Sequence, residues 1–211
     1  MESWKELIPE SIRSRYELHN FNNAVEILIQ AYQLEYLEML DALEHIDIRI
    51  GDITAAGGNE SKIPKKFSKI MRSYGWDEVR ITGDLLVKLH KRNPSTVNEV
   101  MIKDYIDGHN IDYVKNKVAV DMEWNSKDQT FDRDLYAFRA FYECGIIECG
   151  AIITRSAELN PLFYKLGIKQ KYGASTTWMG KLLPRIQARR HGGCPILVVG
   201  ITPETIVDLV D

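Results

Sequence analysis

The spacing of apolar residues along the chain shifts between steps of three or four and steps of one or two, and these steps predict the secondary structure. Helical spacing predicts a long helix from Asn22 to about His45, a second that opens at Ile63–Pro64 and ends at Tyr74–Gly75, and a third from Asp132 to Cys144. Short apolar runs predict an apolar strand at 85–89 and buried strands at 146–153 and 196–201.

The remaining segments carry weaker patterns. They predict a loose or helical lead-in at 1–20, a short strand at 45–53, a loop of small residues at 54–62 and a weak helix at 96–105. Helices and strands in this succession predict an α/β (α+β) fold, with a central mixed β-sheet flanked by helices.

The stretch 111–124 predicts two short strands joined by a tight turn. A period of two sets Val118, Val120, Met122 and Trp124 against Ala119, Asp121 and Glu123. With Lys115–Asn116 as the turn, Val114 faces Lys117 and Asp112 faces Ala119. Asp112 then lies diagonal to Asp121 on one sheet face, at roughly 7–8 Å, while the apolar face, which includes Tyr113, lies in the core.

Three carboxylates therefore converge on one face of this predicted hairpin, from Asp112, Asp121 and Glu123. Like charges repel one another, and burying them without a partner is costly. A hard divalent cation such as Mg²⁺, which prefers oxygen ligands, resolves both problems. The alternative is an ordinary amphipathic strand whose acidic face points to water.

This arrangement resembles the catalytic hairpin of the PD-(D/E)xK nucleases, in the variant that lacks the usual lysine. More narrowly, it resembles the BglII- and BstYI-like type II restriction endonucleases, and Glu123 stands where BamHI also has a glutamate. Asp121 departs from the glutamate of the family pattern but keeps its charge. The resemblance covers about 63–202 and is strongest at 110–124 and 194–201.

The resemblance implies an enzyme that uses one or two Mg²⁺ ions to hydrolyse phosphodiester bonds in double-stranded DNA. Asp112 and Asp121 would bind metal, and Glu123 would orient or deprotonate the attacking water. Glu78, which follows Trp76 closely, would be a fourth acidic contributor that binds metal or orients its water, with Asp77 as the competing choice. Members of this group are homodimers that cut short palindromes, and GATC-centred sites are common among them.

The composition is that of an ordinary soluble globular protein, with 211 residues, 45% hydrophobic and 27% charged. No apolar run approaches the roughly 18 residues of a membrane span, and the three cysteines lack metal-ligand spacing. We expect a cytoplasmic protein without membrane contact. One endonuclease domain, 1–211, is expected, with an N-terminal helical scaffold at 1–62 and a catalytic core at 63–202.

The net charge of −3 conceals a basic region. No acidic residue occurs between Glu158 and Glu204, so the segment 155–193 is predicted to read DNA. A helix that begins at Ser175 or Thr176 would place basic residues on one face at four-residue steps. The predicted DNA-binding residues are Ser175, Thr176, Thr177, Lys181, Arg185, Arg189 and Arg190.

Functions of other classes stay open at this point. A non-catalytic DNA-binding protein would use the basic region, and so would a structure-specific or repair nuclease on the same core. A Mg²⁺-dependent phosphohydrolase acting on nucleotides would use the carboxylates but leave the basic region unexplained. His109 lies close to the carboxylates in sequence, although a lone loop histidine is usually solvated.

Overall fold

Six strands form one mixed sheet in the computed structural model, which describes residues 3–55 and 61–209. The strands are β1 (Tyr16–Phe21), β2 (Asp77–Lys91), β3 (Thr96–Lys115), β4 (Val118–Glu123), β5 (Cys149–Arg155) and β6 (Ile196–Ile201). Their order is β1-β6-β5-β4-β3-β2, in which β4, β5 and β6 are parallel and the other neighbours antiparallel. The three parallel strands are buried throughout, because helices cover both of their faces.

Eight α-helices in the described part of the chain surround this sheet. They are α1 (Glu10–Arg13), α2 (Ala24–Ala31), α3 (Gln33–His45), α4 (Ile50–Thr54), α5 (Lys62–Ser73), α6 (Thr130–Glu143), α7 (Leu159–Lys165) and α8 (Met179–Gln187). Helices α2, α3, α5 and α7 share one hydrophobic cluster, and α6 and α8 share a second. The predicted α/β (α+β) class, a mixed sheet flanked by helices, is confirmed. Within the described ranges, no helix is long and apolar enough to cross a bilayer.

The N-terminal part departs from its predicted elements. The supposed lead-in contains β1, which pairs with β6 from Tyr16–Ile201 to Phe21–Ile196. The single helix predicted over 22–45 is two helices, because Tyr32 leaves the helical region at φ −134° and ψ 46°. The strand predicted at 45–53 is wrong: α4 occupies its second half, and Ile48 forms an isolated bridge with Ile206.

Several predicted boundaries also move. Helix α5 begins at Lys62 and ends where predicted, with Gly75 at the positive φ of 80° that ends a helix cleanly. Helix α6 begins at Thr130, before Asp132, and β5 spans Cys149–Arg155 rather than 146–153. Of the loop predicted at 54–62, residues 56–60 lie outside the described residues.

Strands β2 and β3 form a long antiparallel ribbon. The weak helix predicted at 96–105 is wrong, because this stretch pairs with β2 from Thr96–Lys91 onward. Strand β3 pairs with β4 at Tyr113–Lys115, near its end, so most of the ribbon is two-stranded. A two-stranded ribbon is marginally stable at best by itself in water. Its exposed apolar side chains are Leu86, Leu89, Val97, Val100, Met101, Ile102 and Tyr105.

Candidate active site

The hairpin of β3 and β4 turns at Asn116–Lys117, and Asn116 has the positive φ of 50° that such a turn requires. The pairs on either side are Lys115–Val118, Val114–Ala119 and Tyr113–Val120. The predicted turn is therefore wrong by one residue, which moves the strand pairing by two. Because side chains alternate with a period of two, every residue keeps its predicted face. The next pair in this register is Asp112 with Asp121, directly opposite rather than diagonal.

One face of the hairpin is apolar and lies in the core, as predicted. Its residues, Tyr113, Val118, Val120, Met122 and Trp124, are all buried within one hydrophobic cluster. The opposite face carries Asp112, Asp121 and Glu123, and α6 packs over it. The hairpin thus presents three acidic side chains to the inside of the protein.

These carboxyls are removed from water to different extents. Asp121 is 3% exposed and Glu123 7%, whereas Asp112 is half-buried. Burial raises the pKa of Asp121 well above its usual value, and the charges of Asp134 and Asp112 raise it further. Burial also raises the pKa of Glu123, although a hydrogen bond from Ser126 and the charge of Arg133 act in the opposite direction. Partial protonation is how such a cluster reduces its repulsion when no cation is bound.

A fourth carboxylate, from Asp134 on α6, belongs to the cluster and was not predicted from the sequence. Asp134 is fully buried, and burial together with the charge of Glu123 raises its pKa to about 8. The Arg133 guanidinium contacts the carboxylates of both Asp134 and Glu123, at 2.9 Å from Asp134 Oδ1 and 3.7 Å from Glu123 Oε1. A signal existed, since Asp134 occupies the apolar face of α6 between Phe131 and Phe138, where a carboxylate is out of place.

The other predicted acidic contributors lie outside this cluster. Glu78 is exposed on β2, where its carboxylate accepts a hydrogen bond from Asn110. Asp77 is 82% exposed and lies 4.0 Å from Arg72 Nη1. His109 is half-buried and stacks edge-on against Tyr136 of α6, with 4.7 Å between ring centroids.

The predicted DNA-reading helix is shorter than its sequence suggested. Helix α8 begins at Met179, not at Ser175 or Thr176, and it ends at Gln187. Arg189 follows the helix at a positive φ of 57°, so it does not continue the face that carries Lys181 and Arg185. Pro184 lies inside the helix. Helix α8 therefore carries two of the three basic residues expected on one face, Lys181 and Arg185.

The hydroxyl residues before α8 hold the local structure together. Thr177 is fully buried, and its Oγ1 accepts a hydrogen bond from the Ser126 amide at 3.2 Å. Thr176 Oγ1 donates to Gly173 O at 2.8 Å and accepts from Arg155 Nη2. Ser175 is exposed. Of the three, Ser175 is the one most free to meet a ligand.

Acidic residues from another part of the chain face the basic segment. Arg185 Nε lies 3.0 Å from Asp132 Oδ1, and Arg190 bonds the same carboxylate. Lys181 Nζ lies 3.6 Å from Asp128 Oδ2. The region is basic in sequence but largely paired in space, because α6 and the loop before it supply two aspartates.

The cluster fits a hard cation by its chemistry, although its oxygens are not yet arranged around one. In the described ranges, no group of three or more His, Cys, Asp or Glu side chains is placed so that it could hold a metal ion. Asp112 and Asp121 instead lie close enough for the charge of Asp112 to raise the pKa of Asp121, and Arg133 bonds Asp134. Asp134 Oδ2 is buried without a hydrogen-bond partner among the residues that the structure describes. Four converging carboxylates, of which Asp121, Glu123 and Asp134 have raised pKa values and one has an unsatisfied oxygen, suit a divalent ion with oxygen ligands.

Comparison with known families adds an independent observation. Residues 16–201 match the profile of the family described as restriction endonuclease BglII/BglIII. Comparison with curated proteins finds no match. The matched range includes the hairpin carboxylates and α8, and it starts at β1, well before residue 63, where the resemblance was expected to begin. The chain therefore belongs to the BglII/BglIII family of restriction endonucleases, as its hairpin sequence predicted.

Proposed function

We propose that this restriction endonuclease is a Mg²⁺-dependent type II enzyme that hydrolyses both strands of DNA at a short palindromic site. The observation that carries the proposal is the buried carboxylate cluster, in which Asp121 and Glu123 meet Asp112 on one face of the hairpin. Asp121 and Glu123 are kept out of water at a cost in folding free energy, and a cation that they bind together with Asp112 would explain that cost.

In this proposal Asp112 and Asp121 hold the ion, because they are the directly opposed pair. When bound, Mg²⁺ polarises the scissile phosphate and makes water a stronger nucleophile, and a second ion would stabilise the leaving oxygen. Glu123 accepts the proton of the attacking water. Glu78, exposed on β2, would act by orienting water or by joining the metal once DNA is bound.

The sequence did not show which residue supplies a positive charge next to Glu123. A glutamate at position 123 cannot supply the positive charge that lysine provides in the usual nuclease motif. The Arg133 guanidinium, 3.7 Å from Glu123 Oε1 and 64% exposed, places a cation at this point from α6 instead. Its role in the proposal is to hold Glu123 in position and to balance the charge of the cluster.

Double-stranded DNA would lie along the edge of the sheet where β4 and β5 end. Ser175 and Arg189 are exposed and would contact it directly, with Thr176 and Thr177 shaping the segment. Lys181, Arg185 and Arg190 would exchange their aspartate partners for phosphates. A homodimer would match the two-fold symmetry of a palindrome, which we propose to be GATC-centred, in a cytoplasmic enzyme.

The test is digestion of a sequenced plasmid with and without Mg²⁺, followed by mapping of the ends. Discrete fragments that require Mg²⁺ and share one terminal sequence support the proposal. The matched control is Asp121→Asn, which should bind the plasmid without cutting it. Retention without cleavage by the wild type would indicate a DNA-binding protein. Unmapped smears would indicate a nuclease that reads DNA structure rather than sequence.

A further inference from the structure

A buried guanidinium on the other face of the sheet has no negatively charged partner within the described ranges 3–55 and 61–209. Arg155, at the end of β5, is 1% exposed. Its Nη2 donates to Tyr172 O at 3.3 Å and to Thr176 Oγ1 at 2.5 Å. Its Nε and Nη1 are buried without any hydrogen-bond partner in the described part of the chain. Burial lowers the pKa of Arg155 to about 10, which reflects the cost of keeping this cation out of water.

Aromatic contacts do not remove that cost. The guanidinium lies 5.6 Å from the ring centroid of Phe163 and 5.4 Å from that of Tyr172. Cation–π contacts are worth about 0.5–2 kcal/mol, whereas an unpaired buried charge costs several kcal/mol even after relaxation. A negatively charged or carbonyl-bearing ligand would satisfy the two remaining donors.

Arg155 lines a cavity of about 480 Å³, within the size range of small-molecule sites. Its aromatic wall contains Trp178 and Phe163, and Phe163 is itself stacked on Tyr172 at 4.2 Å. Asn160 and Gln170 bring amides that both donate and accept hydrogen bonds, and Lys169 brings a second cation. A planar heterocycle with polar edges and an attached anion matches each of these features.

The cavity and the carboxylate cluster lie at the same end of the sheet, where strands β4 and β5 finish. Thr154 pairs with Glu123, and Arg155 is the next residue of β5. Since neighbouring side chains of a strand point to opposite faces, Arg155 lies on the face opposite Glu123. Trp124, which follows Glu123, donates from Nε1 to Tyr172 Oη at 3.3 Å and so contacts the same wall.

We propose that this cavity binds a nucleotide, with the base against Trp178, the amides of Asn160 and Gln170 at its edge, and the phosphate at Arg155 and Lys169. The nucleotide has two sources with the same chemistry: a free mononucleotide, or one rotated out of a duplex bound at the sheet edge. Base stacking on an aromatic side chain contributes about 1–3 kcal/mol, so the base adds to the affinity of the phosphate.

The first experiment measures calorimetric binding of dAMP, dGMP, dCMP and TMP, and of inorganic phosphate, with EDTA present so that the carboxylate site does not contribute. At least one mononucleotide should bind tenfold or more tightly than phosphate. Arg155→Met should weaken that binding at least tenfold, and Lys169→Ala should weaken it severalfold. Lys165→Ala, on the exposed surface of α7 outside this cavity, is the matched control and should leave it unchanged.

The second experiment uses a duplex that carries the mapped cleavage site with 2-aminopurine at successive positions. A rise in fluorescence on binding that Arg155→Met removes identifies the nucleotide as one rotated out of DNA, even if free mononucleotides do not bind. Thermal unfolding shows whether Arg155→Met is folded, and Lys169→Ala tests the same cavity from its exposed rim. The proposal fails if neither probe responds, if phosphate binds as tightly as every mononucleotide, or if binding survives both cavity variants. Because the calorimetric arm needs no cleavage, its result is separate from that of the proposed nuclease reaction.

Discussion

Replacing Asp134 by asparagine should stabilise the ion-free protein at alkaline pH. The folded-state pKa of this carboxyl is raised from 3.8 to about 8, by burial first and by the charge of Glu123 second. A group with a raised folded-state pKa supports folding fully below its unfolded pKa, near pH 4. That support is lost as the pH rises through 8. Asparagine cannot ionise, so the variant escapes the loss.

The size of the effect follows from the same numbers. A rise in pKa from 3.8 to about 8 lowers the free energy of unfolding by on the order of 5 kcal/mol between roughly pH 4 and pH 8. The buried amide of asparagine leaves polar atoms unsatisfied, which costs about 1–3 kcal/mol. The substitution also removes the ion pair with Arg133, but this pair contributes little because the arginine side chain is largely exposed. The net gain at pH 8 is therefore about 2–4 kcal/mol, or roughly 5–15 °C in unfolding temperature.

The assay is thermal or urea unfolding in EDTA across the range from pH 5 to pH 9, with Asp132→Asn as the matched control. Partial burial acts to raise the pKa of Asp132, but hydrogen bonds from Arg185 and Arg190 lower it overall. Replacing Asp132 by asparagine should therefore destabilise the protein at neutral pH. This effect is opposite in sign to that of Asp134→Asn on the same helix. If Asp134→Asn tracked the wild type at every pH, the raised pKa and the buried-cluster reasoning would be refuted.

Three further outcomes are expected. Asp112→Asn or Asp121→Asn should lower plasmid cleavage at least a thousandfold while sparing DNA retention in a gel. Mg²⁺ should raise the unfolding temperature of the wild type but not that of Asp121→Asn. Full cleavage activity in either variant would remove the site assignment. Arg189→Ala should weaken DNA binding with little loss of stability and reduce the salt dependence of the affinity by about one phosphate contact; an unchanged slope in a salt titration would contradict this. Gly150→Ala should cost about 3 kcal/mol or more in urea unfolding, because the new Cβ would overlap Phe138 Cε1 and lie 2.5 Å from Ala119 O; a stable variant would show that β5 can shift.

The sequence predicted those elements whose patterns come from burial. Strands β4 and β6 are buried along their whole lengths, and their apolar residues mark them without further information. The elements it missed depend on distant partners. Residues 96–105 carry no clear period and are held as a strand by register with β2, and Tyr16–Phe21 is a strand because β6 lies beside it.

The candidate site shows the same division. Asp112, Asp121 and Glu123 lie within one hairpin, so alternation alone placed them on a common face. Asp134 reaches them from α6, which a local pattern cannot show except as an acid on an apolar helix face. The basic segment looked unopposed because sequence distance hid Asp132, which pairs with Arg185 across the fold.

The two-residue turn at Asn116–Lys117 has a consequence for how this protein can change. A longer connection could close the same Lys115–Val118 pair with its extra residues inside the turn, so added residues there need not move β4. Parallel pairing with β5, from Val118–Cys149 to Glu123–Thr154, also holds β4 in its register. A slip of β4 by one residue, by contrast, would send Asp121 into the apolar layer and bring Val120 out to the opposite face. Among related chains, the length of the turn should therefore vary freely, whereas the pairing of β4 should not shift by one residue.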